Sequence, residues 1–260
     1  MLGFSLTLLG LPEGRHTRDG KEFDMKVIIL AGGKGRRLYP YTVVLPKPLM
    51  PIGDFPILEV MLKQLKNCNF TDITIAVGHL GNLIQTYFGD GKKLGVNIKY
   101  SFEEKPLGTV GPLTLIPRLD ETFMVTNGDL LTTLDYLKLI DYHKKQKPLA
   151  TIAAQKRSVD VDFGVIQRNK EDHMVKYIEK PMLSYTVSMG IYIFEPEILD
   201  FIPKDEKFDF PDLMQLLLKK EKKVAIYNST DFWLDIGRPD DYQKAVEEFE
   251  KNKEKFLHNN

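Results

Sequence analysis

An α/β fold built on a doubly wound, mainly parallel sheet is the class this sequence predicts, and two observations predict it. The run "KVIIL" (26–30) is continuous, apolar and β-branched, the pattern of a strand buried on both faces of a parallel sheet. After it, strand-like runs alternate with segments of helical period, the order of a chain of βαβ units.

Taken in order, "ILEVMLKQLKNC" (57–68) has helical periodicity and "DITIAVG" (72–78) returns to strand. Helical "NLIQTYF" (82–88), the turn "GDGKK" and the strand "VNIKYSF" (96–102) follow. A helix over 110–117, the strand "TFMVTNGD" (122–129) and a helix over 133–146 complete this half. The second half changes texture: "LATIAAQ" (149–155), "DFGVIQ" (162–167), "MVKYIEK" (174–180) and "TVSMGIYIF" (186–194) come with few helical residues between them. They predict antiparallel or mixed strands. Helices near 196–202 and 211–220 and a strand over 223–227 lead to a terminal helix beginning just after Pro239, where acidic residues suit the positive end of the helix dipole. No repeat and no low-complexity linker interrupts the chain, which reads as a single domain over 25–260.

The bulk numbers narrow the function. Of 260 residues, 43% are hydrophobic, enough for a sizeable core. Lys and Arg number 36 and Asp and Glu also 36, so no global field draws the chain to nucleic acid or to an anionic membrane. Any anion site must be a local cluster. The single Cys68 excludes an intramolecular disulfide and a Cys-based zinc site, and sets a reducing cytoplasmic home as the default. Residues 1–24 hold a short apolar run with no basic segment before it and no small-residue cleavage site after it. They read as an extension outside the fold rather than a signal peptide.

"GGKGRRL" (32–38) follows the first strand. A dinucleotide-binding loop would open straight into a helix, which prolines at 40, 46, 48 and 51 forbid. The spacing of a Walker A loop is absent. What remains is a loop whose Gly32, Gly33 and Gly35 let amides wrap a polyphosphate, with Lys34, Arg36 and Arg37 for charge; the alternative is a plain glycine turn with solvated cations. Lys47 in "LPKPL" stands between two prolines that fix its backbone, which favours a positioned cation over a surface lysine. Asp129 in "VTNGD" ends an apolar strand, where open α/β sheets place ligands, and Asp235 in "FWLDIGRPDDY" ends another apolar stretch. Mg²⁺ takes one or two protein carboxylates and fills its other positions with water and phosphate, which this pair satisfies. The bland alternatives are a β-turn residue at 129 and a helix-entry cap at 235. His79, His143 and His173 have no acid at recognisable spacing and read as ordinary surface or core histidines.

"LAGGKGRRLYPYT", "PKPLMPIGDFPILE", "EEKPLGTVGPL", "NGD", "FGVI", "EKP", "GIYIF" and "WLDIGRPDDY", in this order over about 26–243, resemble the sugar-1-phosphate nucleotidyltransferases, also called nucleotide-sugar pyrophosphorylases. The resemblance implies a Rossmann-like (GT-A-like) three-layer α/β/α fold. It also implies attack by a sugar 1-phosphate on the α-phosphorus of a nucleoside triphosphate, with Mg²⁺ as cofactor and pyrophosphate leaving. By matching positions, Leu30, Gly32, Gly33, Gly35, Arg36, His79, Gly108 and Thr109 would hold the nucleotide. Arg37 and Lys47 would stabilise the reacting phosphates, and Asp129 and Asp235 would hold the metal. Gly128, Gly164, Glu179, Lys180 and Ser188 would face the sugar phosphate.

Three departures stand out: Arg36 replaces a usual threonine, Pro112 a usual alanine, and Ser188 a frequent asparagine. His79 lies near where thymidylyltransferases read the base with glutamine. The motifs look closest to bacterial chains described as mannose-1-phosphate guanylyltransferase-like, so GTP and mannose 1-phosphate are the first expectation. dTTP, UTP or CTP with glucose-, glucosamine- or heptose-1-phosphate is the alternative. Transfer of CMP to a non-sugar phosphate and a catalytically silent regulatory homologue are the competing classes; "FGVI" with "EKP" opposes the former, and the presence of Arg37, Lys47, Asp129 and Asp235 the latter. Partners beyond the two substrates are limited to a second copy in a homo-oligomer.

Overall fold

The structure is a computed structural model that describes residues 25–257; the expectation for residues 1–24 lies outside the described residues. Strand β1 (Val27–Ala31) leads through the glycine loop and three single 3-10 turns, Arg36–Leu38, Tyr41–Val43 and Lys47–Leu49, so the proline-rich segment coils without becoming an α-helix. A small hairpin, β2 (Pro51–Ile52) and β3 (Phe55–Pro56), precedes helix α1 (Ile57–Asn67). Then come β4 (Asp72–Val77), α2 (Gly81–Phe88), β5 (Asn97–Phe102), β6 (Phe123–Asn127), β7 (Leu130–Thr132) and α3 (Tyr136–Gln146). The second half holds β8 (Ala150–Asp160), β9 (Val165–Arg168), β10 (Met174–Ile178) and β11 (Met182–Phe194). It continues with α4 (Phe210–Lys219), β12 (Val224–Ser229), β13 (Trp233–Asp235), α5 (Pro239–Lys251) and α6 (Lys253–Leu257).

Seven strands form one sheet in the order β12-β8-β11-β6-β1-β4-β5, in which β11 alone runs antiparallel to its neighbours. The period-2 alternation of β1 distributes its side chains between two cores. Val27, Ile29 and Ala31 join Leu58, Leu62, Ile84 and Leu139 from α1, α2 and α3 on one face. Ile28 meets Leu113, Phe210, Leu213 and Leu217 on the other. Sheet and helices therefore make the expected three layers. Because β1 is flanked by β4 on one side and β6 on the other, the loop after it opens at the point where the winding reverses, the usual ligand crevice of such sheets.

Several expected elements are shorter or split. The helix expected over 110–117 is a 3-10 segment, Gly111–Leu115, entered through Pro112, and that near 196–202 is another, Pro196–Phe201. The strand over 122–129 stops at Asn127, and its sequel β7 pairs instead with β13. Asp135, whose side chain accepts from the Lys138 amide, delays α3 to Tyr136. The terminal helix breaks at Asn252 into α5 and α6, and Gln64 holds the second piece by donating to the Phe256 carbonyl at 2.9 Å. Conversely, β8 and β11 run longer than expected, pairing from Asp160 and Met182 inward as a ribbon beyond the sheet. Among the described residues no helix is long and apolar enough to cross a membrane.

Candidate active site

The glycine loop borders a cleft of about 820 Å³ at the carboxyl ends of β1, β4 and β6. Its far side is closed by two bonds to the Gly35 carbonyl, from the Leu38 amide at 2.9 Å and the Thr42 hydroxyl at 2.8 Å. Gly35 has φ +60, and a Cβ there would lie 2.8 Å from Thr42 Cγ2, so this turn requires glycine. Gly33, Lys34, Arg36 and Arg37 are exposed and line the cleft, while Leu38 is fully buried. Leu38 packs in a third core with Met50, Leu131, Leu234, Ile236 and Phe249. That core pins Leu38, next to Arg37, on one side of the site and both neighbours of Asp235 on the other.

Arg37, Lys47, Asp129 and Asp235 come together. The Lys47 side chain is only 9% exposed; its ammonium is bonded to Asp129 Oδ2 and lies 3.6 Å from Asp235 Oδ1. Asp129 sits in the turn between β6 and β7, and Asp235 ends β13, which pairs with β7 so that Asp235 stands opposite Leu130. Asp235 is not a helix cap, since α5 is entered through Arg238. Burial, then the charge of Asp129, push the Asp235 carboxyl above its ordinary range, while Lys47 and Arg37 pull it back. Gly237 gives Arg37 its place: a Cβ there would lie 3.2 Å from Nη1.

At the other end of the cleft, Glu103 fills the space beside two glycines. Its Oε1 is 2.6 Å and 2.5 Å from the positions a Cβ would take on Gly32 and Gly78, and its Oε2 accepts from the Leu107 amide at 2.9 Å. Gly108 has φ +82 and abuts Phe208 O and Asp209 Oδ1. Asp209 accepts from the Thr109 amide at 2.8 Å, and the Thr109 hydroxyl accepts from the Phe210 amide at 2.8 Å. The loop at 108–109 is thereby fastened to the N-terminus of α4. Leu30 and His79 also line the cleft, and the His79 amide donates to Gly32 O at 3.3 Å.

The residues expected at the sugar do not line this cleft. Gly164, Glu179 and Lys180 belong to the β9–β10 hairpin and the turn that follows it. The Tyr177 hydroxyl donates to Glu179 Oε2 at 2.9 Å, and a Cβ on Gly164 would meet that hydroxyl at 2.0 Å. Lys180 holds a left-handed backbone, φ +41, which costs a non-glycine residue of this kind about 1–3 kcal/mol. Ser188 donates to the Tyr192 hydroxyl at 3.0 Å beside an irregularity in the β8–β11 ladder. Gly128 serves packing: its amide donates to Leu30 O at 2.9 Å, and a Cβ would crowd Ile29.

Sequence reasoning passed over Glu103, Asn127 and Asp209, all in the cleft wall. Glu103 lies inside the quoted "EEKPLGT", so its signal was present; Asp209 is a hundred residues from the amide it binds, and no local pattern marks it. His143 is the core histidine the sequence allowed: it is buried, and its acid lies 52 residues away, with Nε2 2.8 Å from Glu195 Oε1 and Nδ1 2.8 Å from the Thr151 hydroxyl. Burial lowers its pKa, against the opposing pull of Glu195. It is a core histidine outside the cleft.

Comparisons with known proteins agree with this fold. The family profile described as nucleotidyl transferase matches residues 26–252. A UTP–glucose-1-phosphate uridylyltransferase from a Synechocystis species is 36% identical over 242 residues, covering 85% of this chain and 62% of the relative. A mannose-1-phosphate guanyltransferase from Saccharomyces cerevisiae is 34% identical over 231 residues, covering 84% and 63%. The chain thus spans less than two thirds of the length of these curated relatives. Among solved structures, a putative glucose-1-phosphate thymidylyltransferase from Bacillus anthracis superposes with TM-score 0.69 at 29% identity, covering 86% of this chain and 94% of that one. HddC from Yersinia pseudotuberculosis, solved also as a complex with GMP-PN, gives 0.67 at 27%, covering 86% and 99%. On its sequence, its sheet and the residues gathered at the cleft, this chain belongs to the nucleotidyl transferase family.

Proposed function

We propose that this chain transfers GMP from GTP to mannose 1-phosphate, releasing pyrophosphate and forming a nucleotide sugar. The observation that carries the reading is the charge cluster at the strand ends, where Arg37 and Lys47 meet Asp129 and Asp235 beside a glycine loop. A phosphate oxygen of the sugar 1-phosphate attacks the α-phosphorus, the bond to the bridging β-phosphate oxygen breaks, and pyrophosphate leaves with that electron pair. Such a transfer asks the protein to align two polyanions and to neutralise their charge. In this reading Arg37 and the loop amides hold the β- and γ-phosphates, and Lys180, from the turn after β10, holds the sugar phosphate.

The aspartate pair fits Mg²⁺. Asp129 Oδ1 is buried with no hydrogen-bond partner, and Asp235 is held beside a second carboxylate. No group of three or more His, Cys, Asp or Glu forms a metal cage among the described residues, in keeping with an ion that shares its shell with phosphate and water. When bound, Mg²⁺ would neutralise charge on the phosphates.

Glu103 supports GTP. A carboxylate only accepts hydrogen bonds, and guanine presents adjacent N1–H and N2–H₂ donors to it. Uracil and thymine offer one N–H between two carbonyls, which a carboxylate repels. A UTP and glucose 1-phosphate reading is favoured by the Synechocystis relative. The lone Cys68 accords with a cytoplasmic setting.

The test is magnesium-dependent pyrophosphate release with five nucleoside triphosphates, each against mannose-, glucose-, glucosamine- and heptose-1-phosphates. GTP with mannose 1-phosphate is expected to lead. Preference for another pair replaces the substrates, and silence from folded, nucleotide-binding protein overturns the transferase reading.

A further inference from the structure

The family resemblance gives Lys47 a place at the reacting phosphates, yet in the structure its ammonium lies between the two aspartates. We infer that Lys47 is the resident cation of the aspartate pair, yielding its place to a divalent ion and moving to the phosphates only then. The inference rests on the proposed reading of the pair as a metal site.

Three observations carry it. Lys47 is held deep by the turn Lys47–Leu49, whose three residues are all buried, so this cation is built into the site rather than drifting over it. Asp129 and Asp235 face each other across the same ammonium, and two carboxylates in a partly buried site need a cation between them to remain charged together. An ammonium and a divalent ion in that one gap repel strongly at such separations. Asp129 Oδ1 is meanwhile buried and unpartnered, a ligand atom that the lysine leaves free. Once displaced, the Lys47 ammonium has lost its carboxylates, and a phosphate entering the cleft is the anion that restores a partner. Metal entry and phosphate capture are thereby linked through one side chain, and Lys47 holds down metal affinity until nucleotide arrives.

The experiment measures Mn²⁺ binding by the spin-resonance signal of the free ion, on the full chain without substrates. Lys47→Met, which keeps the stem and removes the charge, is expected to bind Mn²⁺ about tenfold more tightly than wild type. With a non-hydrolysable GTP analogue present, the advantage is expected to vanish, because the wild-type lysine then has phosphates to pair with. Equal affinity of wild type and Lys47→Met without nucleotide overturns the inference while leaving the metal site standing. No binding to either, or binding unchanged in Asp129→Asn, overturns the metal site and the inference together, and pyrophosphate release judges the transferase reading separately. Should Lys47→Met fail to fold, acetic anhydride labelling of wild type decides: Mn²⁺ is expected to raise labelling of Lys47 severalfold relative to exposed Lys92, and unchanged labelling overturns the inference.

Discussion

The cleft and the ribbon are built by opposite means. Around the cleft, short strands end in turns whose neighbours are buried, so Arg37, Asp129 and Asp235 are aimed by the packing of Leu38, Leu130, Leu234 and Ile236. In the ribbon, the outer ends of β8 and β11 and the β9–β10 hairpin pair by backbone bonds and pack against little: Phe163 is 78% exposed and Met182 65%. Packing fixes positions where charges must meet at short range. A ladder of backbone bonds presents side chains at a distance and tolerates change in them.

The largest expected effect breaks the cleft. Asp129→Asn should lower turnover by about a thousandfold in a protein that still folds; full activity would remove Asp129 from the site. On the ribbon, Lys180→Ala should raise KM for the sugar phosphate by about tenfold or more while leaving KM for the nucleotide in place, and the reverse pattern would exchange the two regions' roles. A pair of glycines compares the regions directly. Gly108→Ala meets the backbone carbonyl of Phe208 at 2.6 Å with φ +82, and should cost about 1–3 kcal/mol in urea unfolding. Gly164→Ala meets the end of half-exposed Tyr177, which can swing into solvent, so its cost should be smaller and confined to the ribbon. Equal losses would show the ribbon to be as rigid as the cleft.

The smallest effect is on pH. His143 has a lowered folded pKa, so between that value and its ordinary 6.5 the unfolded chain binds more protons than the native one. Its contribution is complete above about pH 6.5 and is lost as pH falls below it. Melting temperatures across about pH 5 to 7 should slope less steeply in His143→Gln than in wild type.

What the sequence disclosed follows the same division. β1, the glycine loop and the strand ends before Asp129 and Asp235 were legible because each is a short stretch with its own chemistry. The partners of those residues were not: the Lys47–Asp129 pair joins positions 82 apart, Thr109 and Asp209 are 100 apart, and His143 and Glu195 are 52 apart. The ribbon extension of β8 and β11 was missed because strand patterns are recognised by one buried face, and residues 156–160 and 182–185 have none. The 3-10 segments were over-read as helices, since proline entry and a few apolar residues look alike in both.

β11 belongs to both regions. Its inner end is core, its outer end is ribbon, and between them lies the irregularity after Ser188, where Gly190 turns at φ +73 against Asn127 and Trp233 Nε1 holds the Met189 carbonyl at 2.8 Å. On the proposed function, that arrangement separates acceptor choice from donor choice: residues beyond the irregularity can be exchanged, lengthened or rewritten for a new sugar without disturbing the strand ends assigned to the triphosphate. A fold so divided can diversify its products one half at a time.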